Sequence, residues 1–494
     1  MSASLTWLLD GIAAVPDVEP RAVLDLTADS REARSGSLFF ALPGRTVHGL
    51  KFAAEAAARG AGVVLWEPSA EVDVPTLPAT VFAAGIPGLT DLVGRIADRF
   101  FNWPSSQLRV TGITGTNGKT TCAYLLAQCL ERLGSPAAYI GTIGWGRTAS
   151  LAPAALTTPD VVTVHRELAQ LRAGGVRDIA LEVSSQALDQ NRVAGVRFHS
   201  AAFTNLSRDH LDYHQTMAAY GAAKTRLFAA PDLKHIVVNV GDAFGREFAQ
   251  NYAGRAPLTA IWIGAGDSGW LAERALRATQ VTVGLRGISM QLDGSFGKAG
   301  VSTRLLGRFN AENCLVVIAC LLSLGATLAE AAGALAECAP PPGRMEVVES
   351  TAGNKPLAVV DYAHTPDALA KALGALREHC AGSLWCVFGC GGDRDPGKRP
   401  LMGTVADELA DQIIVTDDNP RSENPAAITR AIISGIKRAV RVIHDRAQAI
   451  GTALNEAGGN DVVLIAGKGH EDYQIYGKTR RAFSDRREAQ RVSG

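Results

Sequence analysis

The sequence predicts an α/β protein of several domains, in which strands alternate with helices. The chain has 494 residues, a length that suits two to four domains. Near residue 110 a strand-like run, a glycine-rich loop and a helical pattern follow one another. In the last third of the chain, four apolar strand-like runs recur with helical segments between them, which indicates a parallel, doubly wound sheet. Breaks in the pattern divide the chain into residues 1–104, 105–340 and 341–494.

The first segment, residues 1–104, is predicted to form a small α/β unit. Its helical pattern covers Phe52–Ala58, and Asn102, Trp103 and Pro104 end the segment. Its strand-like runs are Ala22–Leu26, Leu38–Leu42, Gly62–Trp66 and Thr80–Ala83. The alternation of such runs with helical segments is typical of α/β folds.

The second segment, residues 105–340, opens with a loop that is typical of phosphate binding. Leu108–Thr114 alternates like a strand, Lys119–Leu133 has a helical pattern, and the sequence GTNGKTT joins them. Glycines at 115 and 118 let the loop turn N–H groups toward phosphate, while Lys119 can reach the β- and γ-phosphates and Thr120 can ligate Mg²⁺. We therefore predict ATP binding by Gly115, Thr116, Asn117, Gly118, Lys119, Thr120 and Thr121. Ile113 stands where the common P-loop has its first glycine, which indicates a subtype rather than a GTPase or a motor.

The second segment also contains polar groups that suit a metal ion near the phosphates. Glu182 lies in the strand-like run Ile179–Val183, and His210 stands between Asp209 and Asp212. A lone histidine is as often a structural residue as a ligand. Carboxylates on both sides of His210 favour the metal site.

Lys224 lies in the helical pattern Met217–Phe228. A lysine on such a helix is normally a solvated surface residue, and the pattern alone predicts that position for it. The segment continues through strand-like His235–Val240 and helical Asn310–Leu324. It ends at prolines 340 to 342, where we predict a hinge.

The third segment, residues 341–494, is predicted to place a ligand site at one edge of its sheet. Its strand-like runs are Leu357–Asp361, Leu384–Phe388, Gln412–Thr416 and Asp461–Ala466. A polar cluster ends or follows each run: DYAH at 361–364, GCGGDR at 389–394, DDNPR at 417–421 and GKGHE at 467–471. Because parallel strands end at the same edge of a sheet, these clusters should form one polar rim.

Charge and cysteine content exclude some classes of protein. Lysine plus arginine and aspartate plus glutamate number 49 each, so no net charge attracts nucleic acid, and we expect none to bind. The eight cysteines are scattered without a CxxC pair, which suits reduced thiols in the cytosol. Asp10 interrupts the first apolar stretch and no run of eighteen apolar residues occurs. The sequence therefore predicts a cytoplasmic protein without a membrane span.

Nine motifs in chain order resemble those of the Mur ligase family, and the resemblance covers nearly the whole chain. They are GTNGKTT (115–121), LEVSSQALDQNRV (181–193), FTNLSRDHLDYH (203–214), YGAAKTRLF (220–228), GRFNAEN (307–313), DYAHTPDAL (361–369), GCGGDRDPGKR (389–399), DDNPR (417–421) and AGKGHEDYQ (466–474). The resemblance implies a three-domain architecture. An N-terminal α/β domain would bind the UDP end of the substrate, a central P-loop ATPase domain would bind ATP, and a mobile C-terminal Rossmann-like domain would deliver the amino acid.

Within this family the chain resembles the members that add meso-diaminopimelate to a UDP-N-acetylmuramoyl dipeptide. The resemblance implies an ATP-dependent ligase of peptidoglycan synthesis that forms an amide bond through an acyl phosphate, with Mg²⁺ as cofactor. It also implies a carbamate on Lys224 that helps to hold Mg²⁺, against the surface position that the helical pattern predicts. The expected partners are small molecules only, and a monomer is expected.

The resemblance assigns roles residue by residue. The catalytic residues that it implies are Lys119, His210 and Lys224. The residues implied to handle Mg²⁺ are Thr120, Glu182, His210 and Lys224. Those implied around the nucleotide beyond the loop are Asn310, Arg344 and Asp361. Those implied for the UDP-linked substrate are Ser30, Thr157, Thr158, Ser184, Gln190 and Arg192, with Ser30 on the uracil side.

The rim of the third segment is implied to select the amino acid. Diaminopimelate differs from lysine by a distal carboxylate, which an arginine can clamp with two parallel hydrogen bonds. Arg421 and Arg394 are the candidates for that clamp, and acceptors nearby would take the distal ammonium. The full set of implied residues is Arg394, Asp418, Asn419, Pro420, Arg421, Gly467 and Glu471.

Three alternatives remain beside this interpretation. A lysine-adding muramyl ligase is disfavoured by the DDNPR motif, and a folylpolyglutamate synthetase-like enzyme is disfavoured by the same motif. A nucleotide-binding scaffold without catalysis is disfavoured because Lys119, His210 and Lys224 are all present.

Overall fold

The computed structural model describes residues 2–16, 18–44, 47–70, 72–254, 256–264, 274–284, 287–348 and 355–493. These residues form two compact units. The first contains the described residues up to Ile261 together with Ala319–Ala326, and the second contains Ala275–Ile318 and the described residues from Thr327 onward. Both units are α/β, as predicted. No helix within the described ranges is long and apolar enough to cross a membrane.

The first unit begins with a small sheet of four parallel strands in chain order. The strands are Asp25–Thr27, Ser37–Ala41, Val63–Trp66 and Phe82–Gly85. The helices beside it are Leu5–Leu9, Ala53–Ala58 and Leu89–Phe100, with 3-10 turns at Ser30–Glu32, Gly49–Phe52 and Pro104–Gln107. A short antiparallel pair, Ala3–Ser4 with Ala22–Val23, precedes the sheet. Each strand-like run predicted for this segment overlaps one of these strands.

A second sheet carries the glycine-rich loop at its centre. Its first eight strands, in spatial order, are Ser150–Ala152, Gly144–Arg147, Ala137–Gly141, Asp178–Glu182, Arg109–Thr114, Phe198–Phe203, His235–Asn239 and Leu258–Ile263. The six strands from Ala137–Gly141 onward are parallel to one another. Because Arg109–Thr114 is flanked by parallel strands on both sides, the loop after it emerges at the middle of the carboxyl edge.

Two of the helices that accompany this sheet begin at the predicted residues, Lys119 and Met217, and end at Arg132 and Thr225, before the predicted Leu133 and Phe228. Helix Lys119–Arg132 starts after Gly118, whose φ is +88°, and Gly134 follows it with a φ of +79°. Asp160 caps the next helix by accepting hydrogen bonds from the N–H groups of Val162 and Thr163. The helices in order are Lys119–Arg132, Val161–Ala173, Ser185–Asp189, Leu211–His214, Met217–Thr225 and Ala243–Asn251, with a 3-10 turn at Arg226–Ala229.

Helix Val161–Ala173 joins the first sheet to the second, because it packs against helix Leu89–Phe100. Gly94 permits a close approach at this junction, since a Cβ there would lie 2.2 Å from the carbonyl oxygen of Ala194. The segment predicted as a first domain is therefore tightly packed on the segment that carries the phosphate loop.

Glu167 on the same helix is a buried carboxyl group, and the positive charge of Arg166 offsets the cost of its burial only in part. Its exposed fraction is 6%, and its Oε2 atom has no hydrogen-bond partner among the residues described. Burial raises the pKa of Glu167 to about 8, with a smaller contribution from Asp160. The folded protein thus binds this proton more tightly than the unfolded chain. The stability it contributes is full below the ordinary pKa of 4.5 and is lost as the pH rises toward 8.

We expect Glu167→Gln to stabilise the protein at alkaline pH, because glutamine resembles the protonated side chain and cannot ionise. The gain in the free energy of unfolding at about pH 8 should be on the order of 2 to 4 kcal/mol, with little gain near pH 5. Denaturant unfolding of both proteins at the two pH values measures it. The exposed Glu247→Gln variant is the control, and an equal effect at both pH values would contradict the prediction.

Next along the chain, a three-stranded antiparallel meander is followed by two helices, and most of these residues belong to the second unit. The strands are Arg274–Gly284, Gly287–Gly294 and Gly297–Thr303, and the helices are Phe309–Ser323 and Leu328–Ala336. Thr327 and Glu330 form a capping box at the start of the second helix, which satisfies two N–H groups there.

The rest of the second unit is a doubly wound sheet, as predicted. Its strands, in spatial order, are Glu346–Val348, Leu357–Asp361, Val462–Ala466, Leu384–Phe388, Gln412–Val415 and Arg441–Val442. All neighbouring strands are parallel except the first pair. Two predicted strands have the predicted bounds, and the other two differ by one residue at one end.

Helices cover both faces of this sheet, because each buried strand alternates its side chains between two cores. Cys386 and Phe388 belong to one core, and Trp385 and Val387 belong to the other. The helices are Pro366–Arg377, Lys398–Leu409, Pro425–Ile433, Arg446–Glu456 and Asp485–Ser493, with a hairpin of Tyr473–Tyr476 and Thr479–Ala482. This arrangement leaves the carboxyl ends of four parallel strands at one edge, where the polar clusters stand.

Candidate active site

The phosphate loop has the conformation that its glycines permit. Gly115 has a φ of +146°, and Gly118 has a φ of +88°. A Cβ at Gly115 would lie 1.9 Å from the Thr204 hydroxyl oxygen, so no other residue fits there without movement. The loop thus packs directly on the segment that follows strand Phe198–Phe203.

That segment fixes two N–H groups of the loop. The N–H of Thr116 donates to the Asn205 carbonyl at 2.8 Å, and the N–H of Asn117 donates to the Asn205 side-chain oxygen at 3.0 Å. The Thr204 hydroxyl donates to the Asn117 carbonyl at 2.6 Å. The N–H groups of Thr116 and Asn117 are therefore already hydrogen-bonded to protein oxygens. The part of the motif best placed to attract phosphate is therefore the helix N-terminus that begins at Lys119.

The Lys119 side chain folds back over the loop. Its Nζ donates to the carbonyl oxygens of Gly115 and Thr116, at 2.8 Å each. The ammonium is thereby held against the backbone of the loop that the sequence predicts to bind phosphate.

Thr120 and Glu182 lie together beneath the loop. The Thr120 hydroxyl donates to Glu182 Oε2 at 2.9 Å, and the N–H of Thr142 donates to Glu182 Oε1 at 2.9 Å. Tyr139 also bonds this carboxylate, which is fully buried. A hydroxyl and a carboxylate are oxygen ligands of the kind that Mg²⁺ takes, and Mg²⁺ sites often combine one or two carboxylates with substrate phosphates. In the part of the chain that the structure describes, no group of three or more His, Cys, Asp or Glu side chains is arranged to hold a metal by itself.

Lys224 is buried, so the surface position predicted from its helical pattern is wrong. Its exposed fraction is 1%, and its Nζ donates to the carbonyl of Gly115 at 2.8 Å. The ammonium also lies 4.2 Å from the ring centre of Tyr220, one helical turn earlier. Burial, and next the positive charge of Lys119, hold the pKa of Lys224 well below its ordinary value. Helix Met217–Thr225 thus turns this face toward the phosphate loop.

His210 stands near the same two lysines. It has a left-handed backbone with a φ of +52°, and its Nε2 lies 3.4 Å from an Asp209 carboxylate oxygen. Burial lowers the pKa of His210, Asp209 raises it, and the charges of Lys119 and Lys224 lower it further. The net effect favours the neutral imidazole, which is the form that can accept a hydrogen bond or bind a metal.

The residues implied for the sugar-peptide lie around the end of strand Asp178–Glu182. Arg192 donates to the Thr158 carbonyl at 3.0 Å and to the Gln190 side chain at 2.6 Å. The Ser184 N–H donates to the Thr158 hydroxyl at 3.1 Å. Thr157 accepts a hydrogen bond from Thr142, which also bonds the Glu182 carboxylate, so this group continues the magnesium candidate site.

Ser30 stands apart from this group, at the first sheet. Its hydroxyl donates to Glu55 Oε2 at 2.9 Å, and it begins the 3-10 turn that Asp29 caps. Its proposed role beside uracil therefore rests on the family resemblance alone.

The nucleotide candidates of the second unit fall into two places. Asp361 accepts hydrogen bonds from the N–H groups of Met345 at 2.7 Å and Ala363 at 2.8 Å. Burial raises the pKa of Asp361, and the charge of neighbouring Arg344 opposes this. Asn310 is buried at the start of helix Phe309–Ser323, where it donates to the Leu306 carbonyl at 2.7 Å.

The polar rim at the carboxyl edge of the second unit's sheet is present. A Cβ at Gly391 would lie 2.8 Å from Arg421 Nη1 and 3.8 Å from Arg394 Cγ, so both arginines flank this loop. Arg421 donates to the Gly392 carbonyl at 2.7 Å. A Cβ at Gly467 would lie 2.8 Å from Asp418 Oδ2, which explains the glycine there.

Asn419 and Glu471 complete the rim. The Asn419 amide donates to Glu471 Oε2 at 2.8 Å, although the two residues come from different strand ends. The loop that contains Pro420 packs on Gly392, whose N–H donates to the Asn419 carbonyl at 2.9 Å. All seven residues implied for the amino acid therefore belong to one cluster of loops.

Several supporting residues of the site were not predicted from the sequence. Lys468 is fully buried beside Asn419 and Glu471. Arg446 forms a buried ion pair with Asp485 and also donates to the carbonyl of Ala466, at the end of a central strand. Lys468 lies within the GKGHE motif, so its place at the rim could have been predicted from the sequence. No sequence pattern indicates that Arg446 and Asp485 form an ion pair.

Comparison with known proteins identifies the family. The model described as "Mur ligase family, catalytic domain" matches residues 25–100, "Mur ligase middle domain" matches 113–321, and "Mur ligase, glutamate ligase domain" matches 343–469. The UDP-N-acetylmuramoyl-L-alanyl-D-glutamate--2,6-diaminopimelate ligase of Alkalilimnicola ehrlichii is 46% identical over 489 residues, covering 98% of this chain and 97% of that protein. The ligase of the same name from Xanthomonas campestris pv. campestris is 47% identical and covers 98% of this chain and 95% of its own.

A solved structure gives the same result. The structure of a UDP-N-acetylmuramoyl-L-alanyl-D-glutamate--2,6-diaminopimelate ligase aligns with a TM-score of 0.70 and 33% identity, covering 100% of this chain and 99% of that one. The predicted α/β, three-domain Mur ligase architecture is confirmed by these matches. The chain belongs to the Mur ligase family.

Proposed function

We propose that this chain is an ATP-dependent ligase that joins meso-2,6-diaminopimelate to UDP-N-acetylmuramoyl-L-alanyl-D-glutamate, in the cytoplasm. The relatives that align end to end bear this activity in their names. The observation that carries the proposal is the rim of the second unit, where Arg421 lies in one loop cluster with the carboxylates and amide of Asp418, Asn419 and Glu471. A phosphate loop alone fits many enzymes. This rim fits an amino acid whose side chain ends in both a carboxylate and an ammonium.

The first step activates a carboxylate, because an amide does not form from a carboxylate and an amine in water without an energy source. The glutamate γ-carboxylate oxygen of the dipeptide attacks the γ-phosphorus of ATP. A new P–O bond forms, the bond to the β-phosphate oxygen breaks, and ADP leaves an acyl phosphate behind. Lys119 offers positive charge to the transferred phosphoryl group, and the loop positions it.

The second step forms the amide bond. The diaminopimelate amine attacks the acyl carbon, loses a proton, and inorganic phosphate leaves from the tetrahedral intermediate. Water would hydrolyse the acyl phosphate, so the amine has to be bound in position first. The rim residues serve that purpose by holding the far end of the amino acid, while Thr157, Thr158, Ser184, Gln190 and Arg192 hold the sugar-peptide.

The Thr120 hydroxyl and the Glu182 carboxylate would hold Mg²⁺, with the remaining ligands coming from ATP and water. Bound there, the metal neutralises negative charge on the phosphate oxygens. His210, favoured in its neutral form, stands near Lys119 and Lys224 and is the further ligand candidate on this side.

Lys224 would act as a carbamate. Its amine nitrogen adds to the carbon of CO₂ and releases one proton, which leaves an anion in place of a cation. This reaction needs the neutral amine, and the lowered pKa of Lys224 supports its presence. The anion would lie beside Gly115, where it can complete the magnesium site.

Phosphate release from ATP, measured with purified protein, tests the proposal. Turnover should require both the UDP-linked dipeptide and diaminopimelate, and L-lysine should replace diaminopimelate poorly. Turnover with glutamate and a folate instead of these substrates would overturn the proposal in favour of a folylpolyglutamate synthetase-like enzyme. Equal turnover with L-lysine would favour the lysine-adding alternative.

A further inference from the structure

Lys468 is a fully buried lysine in the middle of the amino acid rim. Its exposed fraction is 0%, and the next residues of the chain turn away to form the hairpin that begins at Tyr473. Its Nζ donates to Asn419 Oδ1 at 3.1 Å and to Glu471 Oε2 at 2.9 Å. A buried ammonium is costly unless it is paired, so this contact is a built feature of the site.

Lys468 fixes the orientation of the Asn419 side chain. The Oδ1 atom accepts hydrogen bonds from Lys468 and from the N–H of Ile475, at 3.0 Å. The Nδ2 atom is thereby turned to Glu471, to which it donates at 2.8 Å. The reversed amide would place two donors against the ammonium and the N–H group. Lys468 therefore holds two proposed substrate contacts, Asn419 and Glu471, in one arrangement.

Lys468 also adds one positive charge to the rim. Of the seven residues implied for the amino acid, Asp418 and Glu471 are negative, and Arg394 and Arg421 are positive. Arg446 beneath the rim pairs with Asp485. With Lys468 these residues have no excess of negative charge, which suits the far end of diaminopimelate with its one carboxylate and one ammonium. The far end of lysine is a single cation, which would fit a rim with one more negative charge.

We propose that Lys468 is a positioning residue that determines specificity, because its charge makes the rim prefer an amine substrate with a zwitterionic end over one with a cationic end. The inference rests on the proposed function. It adds to the arginine clamp a buried positive charge that disfavours a substrate end with an ammonium and no carboxylate beside it.

The test compares kcat/KM for meso-diaminopimelate and L-lysine in the wild type and in Lys468→Met, which removes the charge and keeps most of the side-chain length. We expect kcat/KM for diaminopimelate to fall about 30-fold or more. The preference for diaminopimelate over lysine should fall at least about 10-fold, because the rim loses a positive charge that disfavours a purely cationic substrate end. Lys468→Arg, which keeps the charge, should retain the preference. The exposed Lys478→Met, on the neighbouring hairpin, should leave both values unchanged.

A double variant isolates charge from packing. Lys468→Met combined with Glu471→Gln restores the net charge of the wild-type rim, so it should recover part of the preference that the single variant loses. Equal losses for both amines in Lys468→Met, or an unchanged preference, would overturn the inference. ADP binding and thermal unfolding confirm that each variant is folded. Wild-type turnover with diaminopimelate tests the proposed function separately, because it does not depend on any change at position 468.

Discussion

Replacing Arg421 with alanine should abolish ligation of diaminopimelate while leaving nucleotide binding intact. The guanidinium lies beside Gly391 and donates to the Gly392 carbonyl at 2.7 Å, within the rim. A distal carboxylate without this partner would be desolvated and unpaired. A site built to hydrogen-bond one substrate group rejects a substrate without that group by about 10⁴-fold, and removal of the protein partner should have a comparable effect. We therefore expect kcat/KM for diaminopimelate to fall by about 10³-fold or more.

Two measurements separate this effect from a general loss of structure. Titration with ADP should give the wild-type affinity, because the phosphate loop belongs to the other compact unit and Arg421 is not among the residues proposed to bind the nucleotide. Arg430→Ala, which removes an exposed arginine from the next helix, should retain full activity. If Arg421→Ala kept wild-type activity with diaminopimelate, Arg421 would not belong to the amino acid site.

Replacing Lys224 with methionine should reduce ligation by about 10³-fold, since the variant would lack the anion proposed to support Mg²⁺. Lys224 is buried beside Gly115, and its lowered pKa favours the neutral amine that the proposed reaction with CO₂ requires. We expect wild-type activity to fall when dissolved CO₂ is removed and to return when bicarbonate is added. Activity of Lys224→Ala should be partly restored by a short carboxylate, which can occupy the space of the carbamate.

The control for this prediction is Lys234→Met, which changes an exposed lysine of the same unit and should have no effect. Labelled bicarbonate offers a direct observation, because the carbamate carbon of the wild type should give a signal that Lys224→Met lacks. Full activity of Lys224→Met in CO₂-free buffer would show that neither the amine nor its carbamate takes part.

The fold could be predicted from the sequence where local patterns decide it. Strands Leu357–Asp361 and Leu384–Phe388 are continuous apolar runs bounded by polar residues, which is the pattern of a strand buried on both faces. The phosphate loop could be predicted for a similar reason, because Gly115 and Gly118 adopt backbone angles that favour glycine.

The burial of Lys224 could not be predicted from its helix. The pattern Met217–Phe228 does not distinguish a lysine that faces water from one that faces a loop over a hundred residues away in the chain. Only the resemblance to a family pointed to the correct position. The same limit applies to Glu182, whose partners Thr120 and Tyr139 come from separate elements.

The hydrogen-bond network beneath the amino acid rim also could not be predicted from local sequence patterns. Lys468 was not singled out, because a lysine between two glycines is usually solvated. Its burial depends on Asn419, which comes from another strand end, and on the hairpin residue Ile475. Such contacts follow from tertiary packing, which a single sequence does not report.

Residues that follow the GKGHE motif in the chain support the rim, so a fragment that is to keep the rim must include them. A fragment that stopped just after the GKGHE motif would keep every proposed substrate contact of the rim but lose Ile475, which bonds both Asn419 and Arg421. It would also lose Asp485 and leave the Arg446 guanidinium buried without its counter-charge, at a cost of about 3 to 5 kcal/mol. Fragments prepared for inhibitor screening should therefore extend through helix Asp485–Ser493, although none of the proposed substrate contacts lies in that helix.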